Sequence, residues 1–473
     1  MSSRIKNLEE RRNFDLNIEK ILEDWEIHHG IREVIANAID EQKITNTKDV
    51  EIYQDDNGKW HIRDYGRGLK YEHLTQNEDQ EKLQNPNLIG KFGIGLKDAL
   101  ATFDRNNVNV LIKSRFGGIT IDKSEKHGFE DILTLHAVIS PPSAPELIGT
   151  DVILGNISQE DIDKAKALFL RFSGAELVES TEYGEVYKNT NEKAYIYING
   201  VKVAEEDNFL FNYNITSLTK QIRKALNRER TNVGRNAYRD RVMKILLSCK
   251  SENIAKMLME DLQKIEQGKN HDELSWIDVQ KHAVSILSSK SDSIFVTSSE
   301  IQNSFNVIDD AKSRGLKIIT IPNTLREKIH DLKDLSGNPI RDMDQFFIEE
   351  RDSFEFKFVD PEDLNPSEKK IFDLTNKIFE LIGGRPRRIK KVKISETMRK
   401  DPYTYREVDG LWEESTGSII IKRSTLKNLG KYSGTLIHET GHCISRSEDI
   451  TREFELELTR IIGILVSKFL KFK

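Results

Sequence analysis

Near the C-terminal end of this 473-residue chain, Thr435-Leu436-Ile437-His438-Glu439-Thr440-Gly441-His442 sets two imidazoles four residues apart with a carboxylate between them. On a helix the two histidines share a face and converge on one ion, while Glu439 reaches the water such an ion carries and acts as its general base. A catalytic zinc needs a third protein ligand and an open position for water. The stretch Thr451 to Phe469 reads as a helix that buries Phe454, Leu458, Ile461 and Leu465 and offers Glu453, Glu455 and Glu457. Glu455 and Glu457 flank its apolar stripe on opposite sides, so helix phase does not choose between them. Asp449, eleven residues after His438, is a third candidate.

A second constellation lies near the N-terminus. Glu33, Asn37 and Asp40 recur at i, i+4 and i+7 on a helix over 31–42, so a carboxylate, an amide and a second carboxylate project from one face. Asp64-Tyr65-Gly66-Arg67-Gly68 follows at a strand end, then Gly90-Lys91-Phe92-Gly93-Ile94-Gly95-Leu96 opening a helix, then Gly149-Thr150-Asp151-Val152. Glycines let the backbone approach a ligand, and a helix N-terminus offers unpaired N–H groups to phosphate oxygens.

The elements that must position these groups follow from periodicity. Residues 15–42 read as helix. Val50–Tyr53 and Trp60–Arg63 flank the turn signal Asp55-Asp56-Asn57-Gly58 and predict a hairpin. Residues 69–92 are polar and irregular, as expected of a mobile lid, and strands are predicted at 108–113, 117–122, 131–138 and 150–154. This makes a mixed α/β domain over 1–160. A helix, a strand pair ending at Tyr195–Val201, and basic helical sequence through 248 open a second portion over 161–345. That portion closes with a strand (293–297), a helix (299–313) and a strand (316–321). Asp360-Pro361-Glu362-Asp363-Leu364-Asn365-Pro366 is the clearest linker signal, before an amphipathic helix over 367–382. The third domain is placed at 346–473. Within it Ser418–Lys422 reads as a strand that could lie exposed beside the metal and accept an extended peptide. Arg385-Pro386-Arg387-Arg388-Ile389-Lys390-Lys391 is a basic cluster whose default is a solvated strand entry. Cys443 reads as a small buried side chain.

Composition bounds the rest. The chain has 72 Lys plus Arg against 78 Asp plus Glu, a formal net charge of -6, so no polyanion-binding arm organises it. Cys249 and Cys443 are its two cysteines, which excludes a disulfide framework and fits a reducing cytosol. The N-terminus lacks the apolar core of a secretory signal, and the longest apolar run, Ile461–Val466, is far short of the ~20 residues of a membrane span. A cytoplasmic protein without membrane partners is expected.

The order of the four N-terminal elements resembles the GHKL ATPases, meaning gyrase, the ninety-kilodalton heat-shock chaperone, histidine kinases and MutL. The likeness covers about residues 15–160 and extends more loosely over 161–250 to the transducer domain of gyrase and MutL. It implies a Bergerat-fold α/β sandwich that binds ATP with Mg²⁺. Glu33 would polarise the attacking water and Asn37 complete the Mg²⁺ shell, with Asp40 in the same motif. Asp64 would accept the adenine amino group with Thr150 in its network, and Gly66, Gly68, Gly93 and Gly95 would shape the pocket and lid. A basic residue of the transducer region would reach the γ-phosphate, Arg228 being the choice. Tyr65 departs from the family by replacing its usual Asn, and Glu41 by standing where a small residue is common. The C-terminal segment resembles compact gluzincin metallopeptidases, and that likeness selects Glu455 as the third ligand beside His438 and His442, with Asp449 and Glu457 as alternatives. The expected fold class is thus α/β multidomain: Bergerat sandwich, transducer-like α/β middle, small α+β HExxH metallopeptidase domain. The expected function is an ATP-regulated zinc metallopeptidase acting on a protein or peptide, with a nucleotide-dependent homodimer and possible stress or defence use. The alternative is a chaperone-like or MutL-like binding machine with a non-proteolytic zinc site. Nucleic acid is a possible but not favoured partner.

Overall fold

The computed structural model describes residues 11–16, 23–75, 88–90, 95–126, 129–226, 233–265, 268–401 and 405–470. The predicted Gly93 and Arg228, and most of the lid segment, lie outside the described residues. The chain is an α/β multidomain protein that forms two compact units, Met1–Lys290 and Ser291–Lys473.

The first unit opens with a seven-stranded sheet. Its strands are β1 (Arg12–Asp15), β2 (Glu51–Gln54), β3 (Trp60–Arg63), β4 (Asn109–Ser114), β5 (Gly117–Lys126), β6 (Phe129–Ser140) and β7 (Thr150–Gly155), in the spatial order β1-β6-β5-β4-β7-β3-β2. The predicted hairpin is β2 and β3, paired antiparallel from Glu51↔Arg63 to Gln54↔Trp60. Helices α1 (Ile27–Thr45) and Gly95–Arg105 pack on one face, joined by a core that includes Ile31, Ile35, Ile39, Leu100, Phe103, Ile112 and Leu154. The predicted helix over 15–42 is corrected at its start: Arg12–Asp15 is a strand paired with β6, and α1 begins at Ile27. There Glu26 and His29 close a capping box, which supplies the helix start that apolar spacing alone could not mark.

A five-stranded sheet follows in the same unit, made of β8 (Leu177–Ser180), β9 (Gly184–Lys188), β10 (Ala194–Ile198), β11 (Val201–Glu206) and β12 (Phe211–Ile215), ordered β11-β10-β12-β9-β8. Helices Arg235–Ser248, Glu252–Leu262 and Ile277–Lys290 complete it.

The second unit holds a parallel pair, β13 (Ser293–Val296) and β14 (Lys317–Thr320), and a four-stranded sheet. Its strands are β15 (Phe358–Val359), β16 (Lys391–Ser395), β17 (Gly410–Glu413) and β18 (Ser418–Lys422), ordered β15-β16-β18-β17. Ser418–Lys422 is therefore not an edge. It is held parallel to β16 on one side and antiparallel to β17 on the other, and its isoleucines Ile419, Ile420 and Ile421 are fully buried. The edge is β17. Helices Leu429–Ser445 and Arg452–Phe469 pack on this sheet around Ile394, Ile419, Ile421, Tyr432, Leu436 and Ile461. No helix among the described residues is long and apolar enough to cross a membrane.

Candidate functional site

The HExxH stretch lies on the helix Leu429–Ser445, started by Asn428, whose side chain accepts from Lys431 N–H. The helix ends at Arg446, in the left-handed conformation at φ 59°, and Ile450 repeats this at φ 62°. Those two reversals fold the 446–451 loop back across the helix. Asp449 Oδ1 comes to 3.2 Å from His438 Nε2 and 3.3 Å from His442 Nε2, and the two Nε2 atoms are themselves 3.2 Å apart. His438, His442 and Asp449 form a group able to hold a metal.

Glu455 does not belong to it, and this corrects the choice of third ligand. The first turn of the last helix presents Phe454 to the histidines, its ring stacked on His442 at 4.1 Å and 13° and edge-on to His438 at 4.9 Å. Glu455, about 100° further round the helix, is exposed. Glu457 pairs with Arg460.

The donor set fits zinc. Tetrahedral bonds of about 2.0–2.1 Å put neighbouring ligand atoms about 3.3 Å apart, close to the three separations found. His442 Nδ1 lies 2.8 Å from the Ser447 carbonyl, an acceptor only, so Nδ1 carries a proton and Nε2 is the nitrogen turned to the shared point. That nitrogen and a carboxylate oxygen 3.3 Å apart call for a cation or proton between them. Burial holds the His438 imidazole below its ordinary pKa against the opposing pull of Asp449, which favours the neutral, ligating form.

Glu439 is buried at 6 % exposure. Burial pushes its carboxyl up to about 7, opposed by a hydrogen bond from the Trp412 backbone N–H and reinforced by the Asp449 charge. Edge strand β17 thus contacts the proposed base. Gly410 on that strand leaves no room for a side chain: a Cβ there would sit 2.5 Å from Thr435 Cγ2 and 2.8 Å from Glu439 Oε1. Cys443 is buried, as expected.

In the first unit, Glu33 and Asp40 are buried on α1 and Asn37 half-buried. Arg32, also buried, donates to Glu33 Oε1 through Nε at 3.1 Å and lies 3.0 Å from it through Nη2, with its guanidinium 5.0 Å from the Trp25 ring centroid. The helix Gly95–Arg105 starts against the Glu33 carboxylate, since a Cβ on Gly95 would lie 2.3 Å from Glu33 Oε2. Lys97 is buried in its first turn, and burial lowers its pKa while Asp98 raises it. A cation there opposes the helix dipole, which a bound anion would offset.

Asp40 is corrected from ligand contact to brace. Its Oδ1 accepts from Ile89 N–H at 2.7 Å and its Oδ2 from Gly90 N–H at 2.6 Å, so both oxygens hold the base of the lid segment. Asn199, in the turn between β10 and β11, grips the same segment by donating to the Leu88 carbonyl at 3.0 Å.

Asp64 lies at the end of β3, buried at 6 % exposure. Its Oδ1 accepts from Gly66 N–H at 2.9 Å and Thr150 N–H at 3.2 Å. Burial raises its pKa against these bonds and one from the Thr150 side chain. Gly149 at φ +80° is required here, because a Cβ would fall 2.1 Å from the Asp64 carbonyl; Gly68 at φ +87° turns the chain beside it. The two departures find structural roles. Glu41 packs into the space left by Gly66 and accepts from the Arg67 backbone at 2.8 Å and its guanidinium at 2.9 and 3.0 Å, bracing the glycine turn. Tyr65 leaves the pocket to donate to Glu51 at 2.5 Å.

Sequence reasoning missed Arg32, Lys97 and Asn199, and noted Glu41 only as a departure from the family pattern. The buried phase of α1 was a signal for Arg32 and the first-turn position a signal for Lys97. Nothing local marks Asn199, which acts across 111 residues.

Comparisons with known proteins bear on this picture unevenly. Residues 160–252 match the family described as the Mycoplasma pneumoniae MPN635 N-terminal domain. Two uncharacterized proteins of Mycoplasma pneumoniae (strain ATCC 29342 / M129) are relatives. One is 42% identical over 247 residues, 51% of this chain and 99% of its own length. The other is 27% identical over 344 residues, 68% of this chain and 96% of its own. Among solved structures, the 43K ATPase domain of Thermus thermophilus gyrase B in complex with an aminocoumarin shares 16% identity at a TM-score of 0.19. That alignment covers 37% of this chain and 61% of the gyrase chain, about three fifths of its length.

Proposed function

The chain belongs to the family of the Mycoplasma pneumoniae protein to which it is 42% identical, and from the two sites it carries we propose that it is an ATP-regulated zinc metallopeptidase. The observation that carries this reading is the convergence of His438, His442 and Asp449 on one point beside the buried Glu439.

A zinc ion held by those three side chains would polarise a substrate carbonyl and supply an activated water. Glu439, buried beside the three ligands, would act as general base toward a water held there and as acid toward the leaving amine. A carboxyl near neutrality suits both halves of that exchange. Phe454 excludes solvent from one side of His442 and fixes its ring. The outer edge of β17, where Glu439 takes the Trp412 N–H, would accept an extended peptide as an added strand.

In the first unit, we assign the face of α1, the Asp64 turn and the N-terminus of the helix Gly95–Arg105 to ATP with Mg²⁺, in a Bergerat-type pocket followed by a transducer-like sheet. Asp64 and Thr150 would read the adenine edge, Asn37 would help hold Mg²⁺, Lys97 and the helix N-terminus would meet phosphate, and Glu33 would orient the attacking water. Phosphoryl transfer asks mainly for such positioning. Asp40 and Asn199 tie the lid base to α1 and to the second sheet. Nucleotide that binds better when Leu88–Gly90 is held this way therefore biases the second sheet. We take this as the source of control over the peptidase and of a nucleotide-dependent homodimer.

The test is cleavage of an unfolded protein by zinc-loaded chain with and without ATP. Fragments that disappear in Glu439→Gln, and whose rate changes with nucleotide, support the reading. Absence of fragments with zinc bound removes it and favours a binding machine with a structural zinc.

A further inference from the structure

Residues 385–400 hold eight lysines and arginines against a single acidic residue, Glu396, in a chain whose net charge is -6. Ordinary surface charge is interspersed and paired. Here Arg388 pairs with Glu414 and Lys400 with Asp310, but among the described residues no carboxylate pairs with Arg387, Lys390, Lys391 or Lys393. Arg387, Lys390 and Lys391 are exposed and Lys393 half-buried. On β16, Val392 and Ile394 enter the core, so Lys391 and Lys393 both face the other way.

Aromatic rings lie at the Lys393 end of this run. Phe354, Phe356 and Phe358 alternate along the segment leading into edge strand β15. The Phe356 and Phe358 rings stack at 5.4 Å and 18°, and Phe358 is 50% exposed. Lys393 Nζ lies 4.6 Å from the Phe358 ring centroid and the Arg399 guanidinium 5.5 Å from that of Phe356. A row of unpaired cations that ends at near-parallel, partly open rings is what a flexible polyanion with planar bases requires: phosphates meet the cations and bases stack on the rings. A duplex keeps its bases stacked on each other and gains nothing from the rings.

We propose that residues 385–393, with Phe356 and Phe358, form a binding site for single-stranded nucleic acid. The site is wired to the zinc-site helix. Arg388, within the basic run, donates through Nη1 to the Cys443 carbonyl at 2.8 Å, in the last turn of the helix that carries His438 and His442. Occupancy is thus felt one residue from His442.

The experiment is fluorescence anisotropy of the full chain with a labelled 20-mer oligothymidylate, the matching duplex, and polyglutamate. With about four phosphates neutralised, affinity for the single strand falls about 50-fold between 50 and 200 mM salt. Arg387→Ala/Lys390→Ala/Lys391→Ala/Lys393→Ala removes that affinity and flattens the salt slope. Phe358→Ala weakens binding about tenfold and leaves the slope unchanged. Each variant is first shown to keep wild-type thermal unfolding and zinc content. Binding of duplex or polyglutamate as tight as single strand overturns the proposal, as does wild-type affinity in either variant. Neither result touches the peptidase reading, whose readout is fragment formation.

Discussion

Replacing Asp449 tests the metal site where sequence and structure differ most. The ligand triangle has edges of 3.2, 3.2 and 3.3 Å, against about 3.3 Å for an undistorted tetrahedral zinc, so no rearrangement stands between the free and loaded site. Structural zinc sites with four protein ligands bind with about 10–16 kcal/mol, or about 3 kcal/mol per ligand. Asp449→Ala should therefore weaken zinc about 100- to 1000-fold, reduced where water replaces the carboxylate. Glu455→Ala removes an exposed side chain outside the group and should leave affinity unchanged. The assay is titration against a chromophoric chelator, with zinc per chain counted after gel filtration. Loss of zinc in Glu455→Ala with retention in Asp449→Ala would refute the assignment and restore the gluzincin ligand set.

Further outcomes are expected. Glu439→Gln keeps zinc but lowers proteolysis by about 10²- to 10⁴-fold, measured as fragment formation. Gly410→Ala pushes a methyl into Glu439 and Thr435, so it should slow cleavage at unchanged zinc content. Glu33→Ala should bind ATP yet lose turnover, read by nucleotide binding alongside phosphate release. Arg32→Ala removes the buried guanidinium that pairs with Glu33 and should lower stability by about 1–3 kcal/mol, measured by denaturant unfolding. Glu273 is fully buried and its carboxyl is pushed up to about 7 by burial, despite bonds from Leu210, Phe211 and Tyr213. Because the folded value exceeds the unfolded one, its stability contribution is present below about 4.5 and lost as pH rises through about 7. The change is about 3 kcal/mol, and Glu273→Gln should flatten that slope.

Much of this was legible because the informative patterns are local. The β2–β3 hairpin declared itself through Asp55–Gly58, the HExxH helix through its own spacing, and the Asp64 turn through glycines that the backbone requires. What stayed hidden depends on long-range or loop geometry. Helix phase offered Glu455 and Glu457 without choosing between them, whereas Asp449 reaches the histidines through two left-handed residues, Arg446 and Ile450, that no glycine marks. Ser418–Lys422 was read as an exposed edge because its outer neighbour β17 is only four residues long. Asp40 was grouped with the ligands because its helical face was readable and its partners, 49 and 50 residues away, were not.

The four-residue β17 carries a consequence for what such an enzyme could digest. A chain laid along that edge must give up its own fold over several residues and run straight past Glu439, whose neighbour Gly410 tolerates no bulge. Compact proteins cannot present such a segment without first losing structure. Discrimination would then rest on the victim's state of repair rather than on any preferred side chain, sparing sound proteins in the same compartment while consuming frayed ones.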